Sequence, residues 1–499
     1  MMEQLILVLP MALMVVGAFV LLMLSTVKRI GLKRYQWIAV AFMAVAFFVE
    51  LPQFGSGTVR YAFYEVFGKM YVIDDFSTLF DLMFLAGGIF TLLINSVYLE
   101  KRKYYNGEFF ALFLFSIFGM TTLAHANDLV TAFIGLELAS LSIYALVGYH
   151  KNNPLSGEAM FKYLVLGSLA GAMFILGSAM IYGVSGMTLI PEIGDFVRNH
   201  AGDYRLLLTV AGMLLLVTIL FKIGAVPFHA WVLDVYHGSP FPVTMFMAST
   251  FKIALFAVAL RIYLAYFSHT GLHGSDMLTA ITVLTLLGGS WLALSQNILK
   301  RMLAGSSIVH GGYMLIALSS IGLGSKLAAP AIMFYLLSYF ISSVGAFGIL
   351  SYIAAYAKRP LTYDDFRGFA QKRPYLAAMM AIFMLSLSGF PSTIGFLGKF
   401  YIFTSAIESK QFFLAGLGIL IAFVSVYYYF RLIAVMYFYE AEESREPFRF
   451  GMSTVLITIL AVMAIWGGIG TGLIPFFPGA DGLIDIAERA IASLQQGAI

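Results

Sequence analysis

Four ionisable residues stand inside long apolar runs, where charge is expensive: Glu137, Lys222, Lys252 and Lys399. A charged side chain at bilayer depth costs about 2.5–3.5 kcal/mol on insertion scales, so it is kept where a partner, a water-filled cavity or a function holds it. Burial weakens an ammonium's hold on its proton, and a nearby carboxylate strengthens it. A lysine balanced between the two can bind and release a proton near neutral pH. Glu137 lies in Phe133-Ile-Gly-Leu-Glu-Leu-Ala-Ser-Leu141, nine residues after Asp128. At 1.5 Å per residue it is about 13 Å from the start of its helix, near mid-membrane. Lys222 precedes Pro227 by five residues, and Lys399 follows Pro391 by eight. Lys252 is about ten residues from either end of its apolar run, too deep to reach an interface easily. The bland alternative for the set is ion pairing or packing alone.

A second rank of residues is less buried by position. Lys162 is four residues into its run, so snorkelling or a surface pair competes with a role in proton transfer. His229, two residues past Pro227, and His310 are relay groups by type, since imidazole titrates near neutral pH. A histidine satisfied by a backbone carbonyl is the competing reading. Asp81 is weaker still, and Arg261 and Arg431, near run ends, read as interfacial anchors. The eight histidines show no metal-ligand spacing, and the chain has no cysteine. That excludes thiolate-ligated iron–sulfur clusters and disulfides. Trp466-Gly-Gly-Ile-Gly-Thr-Gly472 lies inside an apolar run with no strand before it, so it is no dinucleotide loop. No cofactor, metal or nucleic acid is expected on this chain.

Helices must position these residues. The chain is 61% hydrophobic and 11% charged over 499 residues, against about a quarter charged in soluble domains. The patterning predicts an all-α polytopic membrane protein with fourteen spans: roughly 5–24, 36–52, 76–98, 108–124, 128–149, 158–184, 205–236, 241–267, 276–296, 301–320, 328–356, 373–408, 411–438 and 453–475. The seventh and twelfth are too long for straight helices. Thirty-two residues make about 48 Å, against a hydrocarbon core of about 30 Å. Each contains one interior proline, Pro227 or Pro391, so each is read as a broken helix. With the N-terminus outside, seventeen lysines and arginines fall on inside loops and seven outside. That excess supports the even count, with both termini outside.

Spans 4–8 and 9–13 each have a broken helix in fourth place. Five is odd, so consecutive five-span units insert with opposite orientation, a pattern that points to an ion pathway at the midplane. The expected units are 1–107 (first three helices), 108–267 (first repeat), 276–438 (second, inverted repeat) and 453–499 (last helix and tail). Gly186–Tyr204 reads as an outside loop with a short interfacial helix. The tail after Pro478 is amphipathic and at most surface-bound.

Glu137 in its Leu-Glu-Leu setting, Lys222-Ile-Gly-Ala-Val-Pro-Phe-His-Ala-Trp231, Phe251-Lys-Ile-Ala254 and Gly395-Phe-Leu-Gly-Lys-Phe-Tyr401 together resemble one family. It comprises the antiporter-like membrane subunits of respiratory complex I and of the Mrp-type cation/proton antiporters. Lys399 and the absence of a long C-terminal lateral helix resemble its N-type branch, although Mrp D-type subunits share the lysine. The resemblance implies a subunit of a proton-pumping NADH:quinone oxidoreductase in a prokaryotic cytoplasmic membrane. It also implies that NADH, FMN, iron–sulfur clusters and quinone are handled by partner subunits. The implied neighbours are an M-type antiporter-like subunit and the small membrane subunits. By the same resemblance, Glu137 and Lys222 pair, Lys252 and His310 connect along the midplane, and Lys399 is the terminal site. The alternatives are an Mrp-type sodium/proton antiporter subunit or the membrane subunit of a related hydrogenase, ferredoxin- or F420-linked complex.

Overall fold

The computed structural model describes residues 2–26, 30–102, 105–200, 202–267, 275–357, 359–441, 450–470 and 478–496. Thirteen helices in it are long and apolar enough to cross a membrane. The first three are Leu5–Ser25, Leu32–Gln53 and Asp75–Ile94. The first repeat supplies Gly107–His125, Leu129–Val147, Pro154–Ser185, Arg205–Ile223 and Phe241–Phe267. The second supplies Met277–Leu294, Leu299–Ile321, Ala328–Ala354 and Phe412–Phe438, with Pro374–Ser388 and Ile394–Glu408 as the two halves of the broken twelfth span. Met452–Ile469 is the fourteenth span.

The two repeats pack alike. In the first, span 4 lies against 5, 5 against 6, 6 against 7, and 8 returns to 4; in the second, 9 against 10, 10 against 11, 11 against 12, and 13 returns to 9. Spans 8, 10 and 11 form the interior of the bundle, whereas spans 6 and 13 present much of their apolar surface outward.

Both breaks fall beside the predicted prolines but are closed by glycine. Gly224 (φ 79°) and Gly389 (φ 83°) take the left-handed conformation that ends a helix, and their N–H groups bond back to the preceding turn. After Gly224 the chain runs as turns until Val232–Gly238, so the seventh span's second part is a short helix only.

Some expectations are corrected. The third helix ends at Ile94, and the chain continues as the separate helix Ser96–Arg102. The tail forms the helix Ala480–Gln496, which packs on the third and eleventh spans instead of lying loosely at a surface; Ser493 Oγ accepts from the Phe76 N–H at 3.1 Å. Arg261 is no interfacial anchor: it is buried, bonded to Asp74 at 3.2 Å and to the Ala124 carbonyl at 2.9 Å. Lys300, counted among the inside-loop charges, is buried and donates to the Ser239 carbonyl at 2.5 Å. The predicted loop helix is present as Ile190–His200. Lys28, Arg29, Lys103, Lys358, Arg445, Arg449 and the end of the predicted fourteenth span, 471–475, lie outside the described residues.

Candidate functional site

The site begins where the fifth span is capped. The Asp128 carboxylate accepts from the Val130 and Thr131 N–H groups, both at 2.9 Å, and so satisfies donors the helix leaves free. From that start Glu137, Ser140 and Tyr144 fall at helical spacing on one face. Lys222 reaches this face from the last turn of Arg205–Ile223. Its Nζ donates to Ser140 Oγ at 2.7 Å and Tyr144 OH at 2.9 Å, and stands 3.6 Å from Glu137 Oε1. The Lys222 side chain is wholly enclosed, whereas Glu137 is 18% exposed. Glu137 opens on a lateral groove between spans 5 and 6, lined by Phe133, Gly171 and Ile175. A Cβ on Gly171 would meet Glu137 Oε1 at 2.7 Å, so glycine there makes room for the carboxylate.

Lys252 follows directly on a π-helical turn, Met247–Phe251, inside the eighth span. Such turns insert an extra residue and re-aim the side chains beyond them. Lys252 Nζ donates to the Ser307 carbonyl at 2.6 Å and its hydroxyl at 2.5 Å. One turn further along the tenth span, His310 sits between two phenols, with Nδ1 2.6 Å from Tyr335 OH and Nε2 3.0 Å from Tyr429 OH. The Tyr339 ring lies under Lys252 at 5.4 Å and 4.7 Å from the His310 ring. The Tyr313 ring lies under Lys399 at 5.0 Å and 5.9 Å from His310. His310 is therefore flanked by the rings that carry the two lysines.

Lys399, on the second half of the twelfth span, reaches back across the break. It donates to the Leu387 and Ser388 carbonyls at 3.0 and 2.8 Å. These are free acceptors at a helix C-terminus, where the helix dipole also favours a cation. Beside it lies a cavity of about 280 Å³ between spans 12 and 13, lined by Gly389, Phe396 and Phe423.

Among the described residues, Lys222 and Lys252 share no partner. Rings bridge them: Tyr144 packs on Tyr163 at 4.7 Å, Tyr163 stacks on Trp231 at 4.4 Å, and Trp231 meets Tyr236 at 6.3 Å. Tyr236 lies near the Ser307 side chain, the partner of Lys252.

Glu137, Lys222, Lys252, His310 and Lys399 thus form one succession, buried except where Glu137 meets the groove. Lys162 stands apart. It is 40% exposed and paired with Glu158 at 2.7 Å and Asp234 at 2.9 Å, the surface pair that competed with a transfer role. His229 lies half-buried in the turn after the break, with its Nδ1 unpartnered. Ser140, Tyr144, Ser307, Tyr335, Tyr339 and Tyr429 were not singled out from sequence. Helical spacing held part of the signal: Ser140 and Tyr144 follow Glu137 by three and seven residues, and Ser307 precedes His310 by three.

The family described as NADH:quinone oxidoreductase/Mrp antiporter, TM, matches residues 126–425, the stretch that holds all five residues. The chain is 38% identical over 425 residues to NADH-quinone oxidoreductase subunit N of Trichlorobacter lovleyi, covering 85% of each chain. The chain belongs to this family. NADH-quinone oxidoreductase subunit N 2 of Rhizobium meliloti is 34% identical over 93% of this chain and 94% of its own. Among solved structures, a chain of respiratory complex I from Thermus thermophilus with bound aureothin superposes with a TM-score of 0.77 at 31% identity, covering 93% of this chain and 98% of that one. A chain of the Mrp complex from Dietzia has the same fold, with a TM-score of 0.84 at 19% identity over 99% of this chain and 98% of that one. Family membership and geometry meet at the same helices: the broken spans that characterise the fold here are the ones that bring Lys222 and Lys399 inward.

Proposed function

We propose that this chain is the N-type antiporter-like subunit of an NADH:quinone oxidoreductase and carries protons across the membrane through Glu137, Lys222, Lys252, His310 and Lys399. The observation that carries the reading is the buried succession itself, set in a chain 38% identical to a subunit N. Redox chemistry occurs in partner subunits, which hold the flavin, the iron–sulfur clusters and the quinone. Both termini face outside a prokaryotic cytoplasmic membrane, and an M-type subunit and the small membrane subunits are the neighbours.

The mechanism starts at the lateral groove. Glu137 is the member of the succession open to a neighbour, so a charge arriving there acts on the carboxylate first. Drawing Glu137 from Lys222 removes attraction that holds the ammonium's proton. Each 1.4 kcal/mol or so of interaction changes a proton-binding constant ten-fold, so a few kcal/mol suffices to release it. Between Lys222 and Lys252 the phenols can donate and accept, but Trp231 only donates, to the Phe221 carbonyl at 3.0 Å, so water beside these rings completes the relay. His310 then links Lys252 to Lys399. At the inside end, a cavity of about 280 Å³ lined by His150, His237 and Lys300 offers a way in.

The test is Lys222→Ala in the whole complex, reconstituted in proteoliposomes. Subunit content should stay intact while NADH-driven proton uptake is abolished. Uptake at the wild-type level would remove Lys222 from the route. Sodium uptake tied to NADH oxidation and lost in the same variant would instead favour a sodium-carrying role.

A further inference from the structure

A second buried polar cluster lies away from the lysines, at the end of the bundle that carries both termini. It joins Glu50 at the end of the second span, Asp81 in the third and His125 at the end of the fourth. One ligand atom from each lies within 4.8 Å of the others, and all three residues are buried.

His125 Nδ1 is 2.7 Å from the Val72 carbonyl oxygen. A carbonyl only accepts, so Nδ1 carries the proton. A neutral ring then presents the bare Nε2 lone pair, 3.0 Å from Asp81 Oδ2. Two lone pairs at that distance need a cation between them, either a proton or a metal. Asp81 Oδ1 is buried without any hydrogen-bond partner among the described residues. Glu50 brings a second carboxylate, bonded at 3.4 Å by Gln53 Nε2. A ring that donates its far N–H to a backbone carbonyl is also the orientation that metal-binding histidines take.

We infer that Glu50, Asp81 and His125 form a binding site for a divalent cation of the zinc class. One imidazole and two carboxylates are ligands this ion accepts, at about 2.0–2.2 Å, with a fourth position left for water. Tetrahedral zinc ligands stand about 3.4 Å apart, so the His125–Asp81 pair at 3.0 Å opens slightly and the Glu50 oxygen, within 4.8 Å of both, moves in by about 1.4 Å at most. A bound ion would tie spans 2, 3 and 4 together under the hairpin Arg60–Tyr61/Val72–Ile73, whose Val72 carbonyl orients the ring.

The test uses the full chain in lipid nanodiscs, stripped with chelator and titrated with Zn²⁺ alone. Bound metal is counted by elemental mass spectrometry, and the unfolding temperature is followed in parallel. One equivalent should bind to the wild type and raise its unfolding temperature. His125→Gln and Asp81→Asn should each weaken binding by at least about ten-fold and cancel the thermal shift. X-ray absorption at the zinc edge should show one imidazole and only nitrogen and oxygen ligands, a readout that does not depend on the variants folding. No retained zinc, wild-type binding in both variants, or a spectrum without imidazole would overturn the assignment.

Discussion

The two broken spans hold their lysines on opposite sides of the break and satisfy them differently. Lys222 ends the first half of the seventh span and looks sideways, to hydroxyls and to the Glu137 carboxylate 3.6 Å away. Lys399 starts the second half of the twelfth and looks back along the axis, to the carbonyls of Leu387 and Ser388. One lysine has a carboxyl counterpart that a neighbour can pull on. The other has only fixed dipoles, and no carboxylate pairs with it among the described residues. A movable partner suits a site where a signal enters, and fixed dipoles suit a site where the charge is held until it leaves.

The contrast can be broken most sharply at Glu137. Glu137→Gln strands the Lys222 ammonium among hydroxyls. The carboxyl 3.6 Å from Lys222 Nζ is the group that modulates the ammonium's hold on its proton, so NADH-driven proton uptake should fall by more than about ten-fold. Uptake in reconstituted complex measures this, and an unchanged rate would mean the first break needs no counter-ion.

A smaller effect is expected at the second break. Gly389→Ala places a Cβ 2.9 Å from Lys399 Cδ at a left-handed position. That conformation costs an L-residue about 1–2 kcal/mol, so the unfolding temperature should drop while uptake falls only in part. A fully active, equally stable variant would show that the geometry of the break does not hold Lys399.

Lys162→Ala should do least, because its pair is exposed and screened. Uptake close to that of the wild type is expected. Abolished uptake would return Lys162 to the route and extend the comparison to the sixth span.

Spans, breaks and the deep lysines were legible because each leaves a local mark: a run length, a proline, a charge among apolar residues. The break positions were less so. Pro227 and Pro391 announce interruptions, but Gly224 and Gly389 close the helices, and glycine is too common in this chain to stand out among 47. Arg261 misled because distance from a span end measures depth only along a helix, and its partner Asp74 comes from another. The same blindness hid the cluster of Glu50, Asp81 and His125, whose members are 31 to 75 residues apart in the sequence and on three helices.

By itself the sequence determined that the chain crosses a membrane, that two of its helices must break, and that lysines stand at depth. Hydrophobic run length and the missing proline N–H act locally, so no neighbour need be known. Only the tertiary structure decided which groups meet: Ser140 and Tyr144 on Lys222, Ser307 on Lys252, two phenols on His310. Serine and tyrosine are cheap to place anywhere in a bundle, so their types carry no signal. Their contact with a lysine on a different helix depends on how the helices pack.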